Sequence, residues 1–349
     1  MAYTDIDKPD EYFNTVLYTG DDASNRAITG VGFKPDLVWH KSRSNAFNHY
    51  LTDAVRGAGY ILLSNLTDTE YNGTAAFISF DTDGFTLTQE GGFEINKSAV
   101  TYAMWNWKAN GAGVSNTAGS ITSTVSANTT SGFSIVSYTG TGSTGTVGHG
   151  LGATPSMIII KERNNSTSWI VYHHKNTSAP ATDYLLLNST QATDDYADYF
   201  NDTAPTSSVF TIDTAGDING SSDTYIAYCF AEVKGYSKFG SYTGNGSTDG
   251  TFVYTGFKPA FVMVKETGNV NSWRILDNKR SPINVMNEPL FANLNNVEGT
   301  TDHETDFVSN GFKIRSSDTS MNRSGGTFIY MAFASQPFTT STSVPTTAR

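Results

Sequence analysis

Apolar residues recur along this chain in short runs of four to eight, bounded by Gly, Asn, Asp and Pro and often alternating with polar residues. That is the pattern of β-strands with one dry face. The string TYIAYCFAE (224–232) is apolar on both alternating faces: Tyr225, Ala227, Cys229 and Ala231 on one, Ile226, Tyr228 and Phe230 on the other. Because successive strand side chains point to opposite faces, it predicts a central strand covered on both sides. Nothing longer than a turn has a helical period.

The runs repeat in register. Tyr18-Thr19-Gly20, Tyr138-Thr139-Gly140 and Tyr242-Thr243-Gly244 each precede a Pro-headed apolar run closed by a lysine: FKPDLVWHK (33–41), ATPSMIIIK (153–161) and FKPAFVMVK (257–265). Pro35, Pro155 and Pro259 are offset by 120 and 104, as are the tyrosines and lysines. Each unit continues with a Leu-rich strand containing an Asn (Asn65, Asn188, Asn293), a strand containing Phe85, Phe210 or Phe312, and a closing run of aromatics. Self-similarity at a fixed period marks a repeat architecture. It predicts β-rich units at about 12–110, 132–235 and 236–338. The Gly/Ser/Thr-rich stretch 111–131 reads as a linker with at most a short strand, and 339–349 as a tail laid against another subunit.

Strands at this spacing predict an all-β chain of three tandem homologous antiparallel β-sandwich domains, jelly-roll-like, each of about 100 residues. The prolines fit as first residues of strands, where no ladder donor is required. Three such units can form a row or close into a pseudo-threefold ring.

Only 16% of residues are charged and 13% are aromatic, with abundant Gly, as strands and tight turns require. A net charge of -11 argues against nucleic acid or an anionic membrane as partner. The opening MAYTDIDKPDEYF lacks the regions of a signal peptide, and no apolar run approaches a membrane span. The single cysteine, Cys229, falls in a strand with two apolar faces and reads as an inert core thiol.

Candidate chemistry is sparse. The histidines are His40, His49, His149, His173, His174 and His303. His173 and His174, as strand neighbours, are expected on opposite faces, and no zinc spacing is present. Asp81-Thr82-Asp83-Gly84 and Asp217-Ile218-Asn219-Gly220 resemble the opening of calcium loops but lack the closing Glu, so tight turns are expected. No nucleophile elbow, phosphate loop or dinucleotide fingerprint occurs, and no carboxylate pair is singled out. No catalytic residue, metal site or cofactor is expected. Trp169 and Trp273 occupy equivalent places, with His49 in the first unit. With Tyr172 and Arg274 they are the candidate glycan contacts, since sugars stack their C–H faces on such rings; a strand Trp packed in the sandwich is the competing reading. The sequons at Asn65, Asn188 and Asn245 reflect a turn vocabulary rich in Asn and Thr.

The strings DKPDEYFNTVLYTG, GVGFKPDLVWHK, DAVRG, MWNWKANG, GFSIVSYTGTGSTGTVGHGLG, APTSSVF, YIAYCFAEVKGYSKFGSYTGNGSTDGTFVYTGFKPAFVMVK and IYMAFASQPF resemble a family of uncharacterised virion proteins of tailed phages, frequent in marine and cyanobacterial phages. The resemblance implies a structural protein of the virion, commonly assigned to tail fibres or appendages. Its partners would be other virion proteins, further copies of itself, with a homotrimer foremost, and a host-surface glycan, contacted by loops such as 164–168, 191–201 and 268–272. A capsid decoration or head-fibre protein is the first alternative, a carbohydrate-active enzyme the second.

Overall fold

The structure is a computed structural model, described over residues 3–89, 92–300 and 304–346. It is nearly all β; the helical pieces are the single turns Ala197–Phe200, Gly216–Asn219 and Thr319–Asn322 and a 3-10 turn at Pro9–Glu11.

The first repeat comprises β1 (Phe13–Thr19), β2 (Arg26–Thr29), β3 (Leu37–Ser42), β4 (Tyr50–Asp53), β5 (Gly57–Leu62), β6 (Tyr71–Asn72), β7 (Phe77–Asp81), β8 (Gly84–Leu87) and β9 (Thr101–Trp107). Then come β10 (Val114–Asn116) and β11 (Ser123–Asn128). The second repeat holds β12 (Phe133–Thr139), β13 (Gly145–Gly148), β14 (Met157–Glu162), β15 (Ile170–His173), β16 (Asp183–Leu186), β17 (Asp194–Asp195), β18 (Val209–Ile212) and β19 (Thr224–Phe230). The third holds β20 (Ser237–Thr243), β21 (Phe252–Tyr254), β22 (Phe257–Glu266), β23 (Arg274–Asp277), β24 (Leu290–Phe291), β25 (Thr305–Val308), β26 (Gly311–Ile314) and β27 (Thr327–Pro337).

Each repeat pairs a larger and a smaller antiparallel sheet. The larger sheets run β1-β9-β3-β4-β5-β6, β10-β11-β12-β19-β14-β15-β16-β17 and β20-β27-β22-β23-β24, the same order at equivalent strands. The smaller are β2-β8-β7, β13-β18 and β21-β26-β25. Within each larger sheet the third, fourth and fifth strands of the repeat lie side by side as a meander, while the last strand sits between the first and third and the second pairs with the next-to-last in the smaller sheet, so the chain switches sheets as a jelly-roll-like unit does. The repeated Tyr of the first strand stacks on the ring opposite it: Tyr18 on Tyr102, Tyr138 on Tyr225 and Tyr242 on Phe328, at 4.8, 5.1 and 5.0 Å.

The two faces of the larger sheets belong to different cores. Trp39, Trp105 and Trp107, Ile159, Tyr228 and Phe230, and Met263, Met331 and Phe333 point into one cluster shared by all three repeats, plugged by Ile6 of the N-terminal arm. Their strand neighbours, such as Met104, Cys229 and Ala332, pack against the smaller sheet of their own repeat. The expectation of self-contained sandwiches is revised here: each repeat has a private outer core, but its inner face is buried only by the other two. β19, expected to be covered on both sides, is.

Three other expectations change. The stretch 111–131 is not a plain linker: β11 pairs with β12 from Ser123↔Tyr138 to Asn128↔Phe133 and extends the second sheet, its Thr and Val supplying β-propensity that a Gly/Ser-rich composition masks. Pro259 is not first in its strand; β22 starts earlier and accommodates it at a register shift. The described part of the tail folds onto its own chain, where Ser341 N–H donates to Asp7 at 2.7 Å and Phe338 meets the Tyr3 ring.

Candidate functional site

The four candidate glycan contacts are buried. Trp169 is 0% exposed, Trp273 2%, Tyr172 3% and Arg274 7%. None is a surface platform: the two tryptophans lie on the inner face of the larger sheet, covered by the neighbouring repeat, and Tyr172 and Arg274 on the outer face, covered within their own repeat. The indole N–H of Trp169 donates to Leu63 O of the first repeat (2.9 Å), and that of Trp273 to Leu186 O of the second (2.8 Å). At their counterpart, His49, the ring accepts from Trp39 Nε1 (2.9 Å), and the crossing to the third repeat is made by Ser64 Oγ, which donates to Ala292 O (2.7 Å). Each position is fixed by the repeated Asn: the main-chain N–H of His49, Trp169 and Trp273 donates to Asn65, Asn188 and Asn293, at 2.9 Å in all three. Tyr172 faces the second outer core, where burial raises its phenol to about 12. Arg274 donates to the carbonyls of Ser272 and Ser320, and burial lowers its guanidinium to about 10.

These contacts run in one rotational sense, second repeat to first, third to second and first to third, so the repeats close into a ring. A second layer follows the same sense. At the first–second seam, Arg56 bridges Asp53 (2.5 Å) and Glu70 (2.9 Å), and Arg163 of the second repeat holds Glu70 through two nitrogens (3.0 and 2.7 Å). Tyr228 OH adds a bond to Asp53 (2.9 Å). At the third–first seam, Arg280 bridges Asp277 (2.5 Å) and Glu298 (2.8 Å), Arg43 of the first repeat holds Glu298 (2.8 Å), and Trp105 Nε1 donates to Asp277 (3.0 Å). At the second–third seam the equivalent places hold His173, Asn176, Thr193 and Thr267: Thr193 Oγ1 donates to Asn176 Oδ1 (2.6 Å) and His173 Nε2 meets Tyr330 O (3.2 Å). In all three seams the incoming main chain is the same, with N–H of Glu70, Thr193 and Glu298 donating to O of Arg163, Thr267 and Arg43. Two seams thus carry a buried Asp–Arg–Glu–Arg bridge; the second–third seam has none, and is crossed instead by Lys265 Nζ donating to Thr190 O (3.2 Å) and by the partly exposed pair Lys238–Glu232 (2.7 Å).

The repeated lysines mark a third constellation. Lys41, Lys161 and Lys265 are each 0% exposed. Their Nζ atoms donate to the carbonyls of the next residue (Ser42, Glu162, Glu266; 2.6, 2.7 and 2.9 Å) and of the fourth (Asn45, Asn165, Asn269; 3.4 Å each). Each ammonium therefore braces the loop that leaves its strand. Burial lowers these lysines to about 7, 8 and 8 respectively, with Arg280 adding to the effect at Lys41. The loops are further locked through Asn165 onto Glu162 and Asn269 onto Glu266 (2.7 Å).

The other sequence candidates are placed as follows. His173 and His174 are not on opposite faces: β15 ends at His173, both rings turn toward the third repeat, and their centroids lie 5.5 Å apart. His303 lies outside the described residues. In the two calcium-like strings, Asp83 accepts from Gly30 and Gly32 N–H (3.1 and 2.6 Å), and Asn219 binds the main chain of Thr141, Ser143 and Asp213, so these are turn locks. Cys229 is buried, and burial pushes its thiol up. No helix among the described residues is long and apolar enough to cross a membrane.

The seams missed by sequence reasoning left faint signals: an Asp-x-x-Arg pair at 53/56 and again at 277/280, and a Lys at the same offset in every unit. The bridging Glu70 and Glu298 left none, being loop residues replaced by Thr193 in the second repeat.

Fold and seams together define an all-β protein in which three equivalent pairs of antiparallel sheets close on one shared core. The chain belongs to the family described as Domain of unknown function (DUF7483), which it matches over residues 8–337. Comparison with curated proteins yields no match.

Proposed function

We propose that this chain is a non-enzymatic structural protein of a tailed-phage virion, a tail-fibre or tail-appendage component that contributes to host-surface adsorption alongside other virion proteins and further copies of itself. The motifs given above for the virion family support the biological setting. The observation that carries a structural role is the use made of the ionisable side chains: Asp53, Arg56, Glu70, Arg163, Arg280, Glu298 and Arg43 join repeats, and the buried lysines brace loops. Groups already saturated by neutralising partners serve rigidity rather than turnover. A single chain with threefold internal repetition also suits a particle whose appendages are built on rotation axes.

Cryo-EM of purified particles tests this. Density for the chain at the tail or a fibre supports adsorption. Density on the capsomers makes it a capsid decoration, and absence from the particle ends the reading. Hydrolysis of host polysaccharide, abolished by a single carboxylate substitution, would establish the enzyme alternative.

A further inference from the structure

The three lysine-braced loops combine a constant frame with variable tips. In each, a buried Lys Nζ holds the carbonyls one and four residues on, and the fourth residue is Asn: Asn45, Asn165 and Asn269. The main-chain N–H two residues after the lysine is likewise fixed, Arg43 to Thr101 O, Arg163 to Thr224 O and Thr267 to Thr327 O. The tips, SNAFN (44–48), NNSTS (164–168) and GNVNS (268–272), share little else. A rigid frame under divergent loops is the arrangement by which scaffolds present recognition residues. Because the seams relate the repeats by one closed rotation, equivalent loops are expected at one end of the ring.

The tips also have a common chemistry. On a chain of net charge -11, none of these segments contains an ionisable side chain, and the adjacent Arg43 and Arg163 are neutralised by Glu298 and Glu70. The tips offer amides, hydroxyls and three apolar groups, Ala46, Phe47 and the 71% exposed Val270. Asn165 and Asn269 are oriented by one N–H given to Glu162 or Glu266, which leaves the amide oxygen and the second N–H for a ligand. Amides and hydroxyls beside apolar side chains suit a neutral, hydroxyl-rich ligand; at the first tip Lys97 Nζ also lies over the Phe47 ring, at 5.5 Å.

Resting on the adsorption reading, we infer that these three loops form a trivalent recognition surface for a neutral glycan polymer. Pre-organised loops lose little entropy on binding, and three sites on one chain give a polymer an avidity that a single-site fragment lacks.

The test uses the full chain against immobilised neutral hexose and N-acetylhexosamine polymers, with uronate-bearing and sulfated polymers as charged controls. Binding to a neutral polymer is expected. N165A/N269A and, independently, the tip variant Val270→Arg should weaken it about tenfold or more, while short fragments of the same polymer bind far more weakly than the polymer. Val270→Arg is the fold control, since this exposed side chain can be replaced without disturbing the core; its thermal unfolding should match the unmodified chain. Unchanged binding in both variants, or binding only to charged polymers, overturns the inference and leaves adsorption through another surface standing. If the unmodified chain binds no polymer of either class, the glycan site falls, and the adsorption reading is then decided by the chain's position on the particle.

Discussion

Replacing Glu298 by Ala should open the ring at the seam between the third and first repeats, which no peptide link spans. Its carboxylate accepts from Arg280 at 2.8 Å and from Arg43 at 2.8, 3.0 and 3.1 Å, with its side chain 13% exposed and that of Arg280 at 0%. Breaking a buried pair costs about 3–5 kcal/mol when one charge is left uncompensated. Here Asp277 still neutralises Arg280 at 2.5 Å, so the loss falls near the lower end, about 3 kcal/mol. Thr193→Ala at the equivalent place of the second–third seam removes one hydroxyl bond to Asn176, worth about 1 kcal/mol. For a chain this long, with about 2 cal/mol/K of unfolding entropy per residue, the two changes correspond to Tm losses of about 4 and 1.5 °C. Equilibrium urea unfolding and calorimetry of both variants measure the difference directly. Equal losses within about 0.5 kcal/mol, or Glu298→Ala indistinguishable from the parent, would refute the assignment of the charged seam as the stronger closure.

Stability should fall in acid well before most carboxylates protonate. His40 and His173 are held by burial at about 3 in the fold against 6.5 unfolded, so the unfolded chain binds more protons between these values. Their contribution is complete above pH 6.5 and is lost as pH falls toward 3, about 2 kcal/mol per histidine at pH 5; a urea midpoint flat from pH 7 to 5 would contradict it. The buried lysines act at the other end: with folded values of about 7 to 8 against 10.5 unfolded, stability should rise with pH from about 7 toward 10.5, and K161M should flatten that rise. Trp169→Phe leaves Leu63 O without its indole donor and should cost about 1–3 kcal/mol in denaturant unfolding, while leaving any glycan binding by the folded chain unchanged. Cys229 should react with a thiol reagent only after unfolding; modification of the native chain at the rate of a free thiol would show that its strand is not buried.

The periodic part of the fold was legible in the sequence. The three registers, the all-β class, the twice-covered strand β19 and the structural use of Asn65 and Asn188 all follow from spacing and alternation. Periodicity could not say what covers each face. An inner face buried by another repeat has the same pattern as one buried by a partner sheet, so the packed reading of Trp169 and Trp273, though the favoured one, carried no sign of what would cover them. The role of the lysines was hidden for a related reason. A Lys at a strand end normally reaches water, whereas here the braced loop folds back over it and offers carbonyls instead. Glu70 and Glu298 lie in loops whose positions depend on ring closure, a non-local fact with no local period.

The uneven seams have a physical logic in the connections between repeats. The second and third repeats are joined through residues 231–236, including the fully buried Tyr236, so their facing surfaces are held at high effective concentration. The contacts of His173, Asn176, Thr193 and Thr267, with Lys265 on Thr190 O and the partly exposed Lys238–Glu232 pair, suffice there without a buried Asp–Arg–Glu–Arg bridge. The first and second repeats are separated by 108–132, a longer path that itself has to be ordered as β10 and β11, and the third and first meet with no link at all. Those are the two seams that carry the Asp–Arg–Glu–Arg arrangement. Charged, geometrically exacting pairs also discriminate: an Arg left without its carboxylate in a wrong pairing is costly, whereas a Thr–Asn contact is forgiving. Each repeat therefore meets its correct neighbour either by tether or by charge, and three similar sheets sharing one core close in a single order.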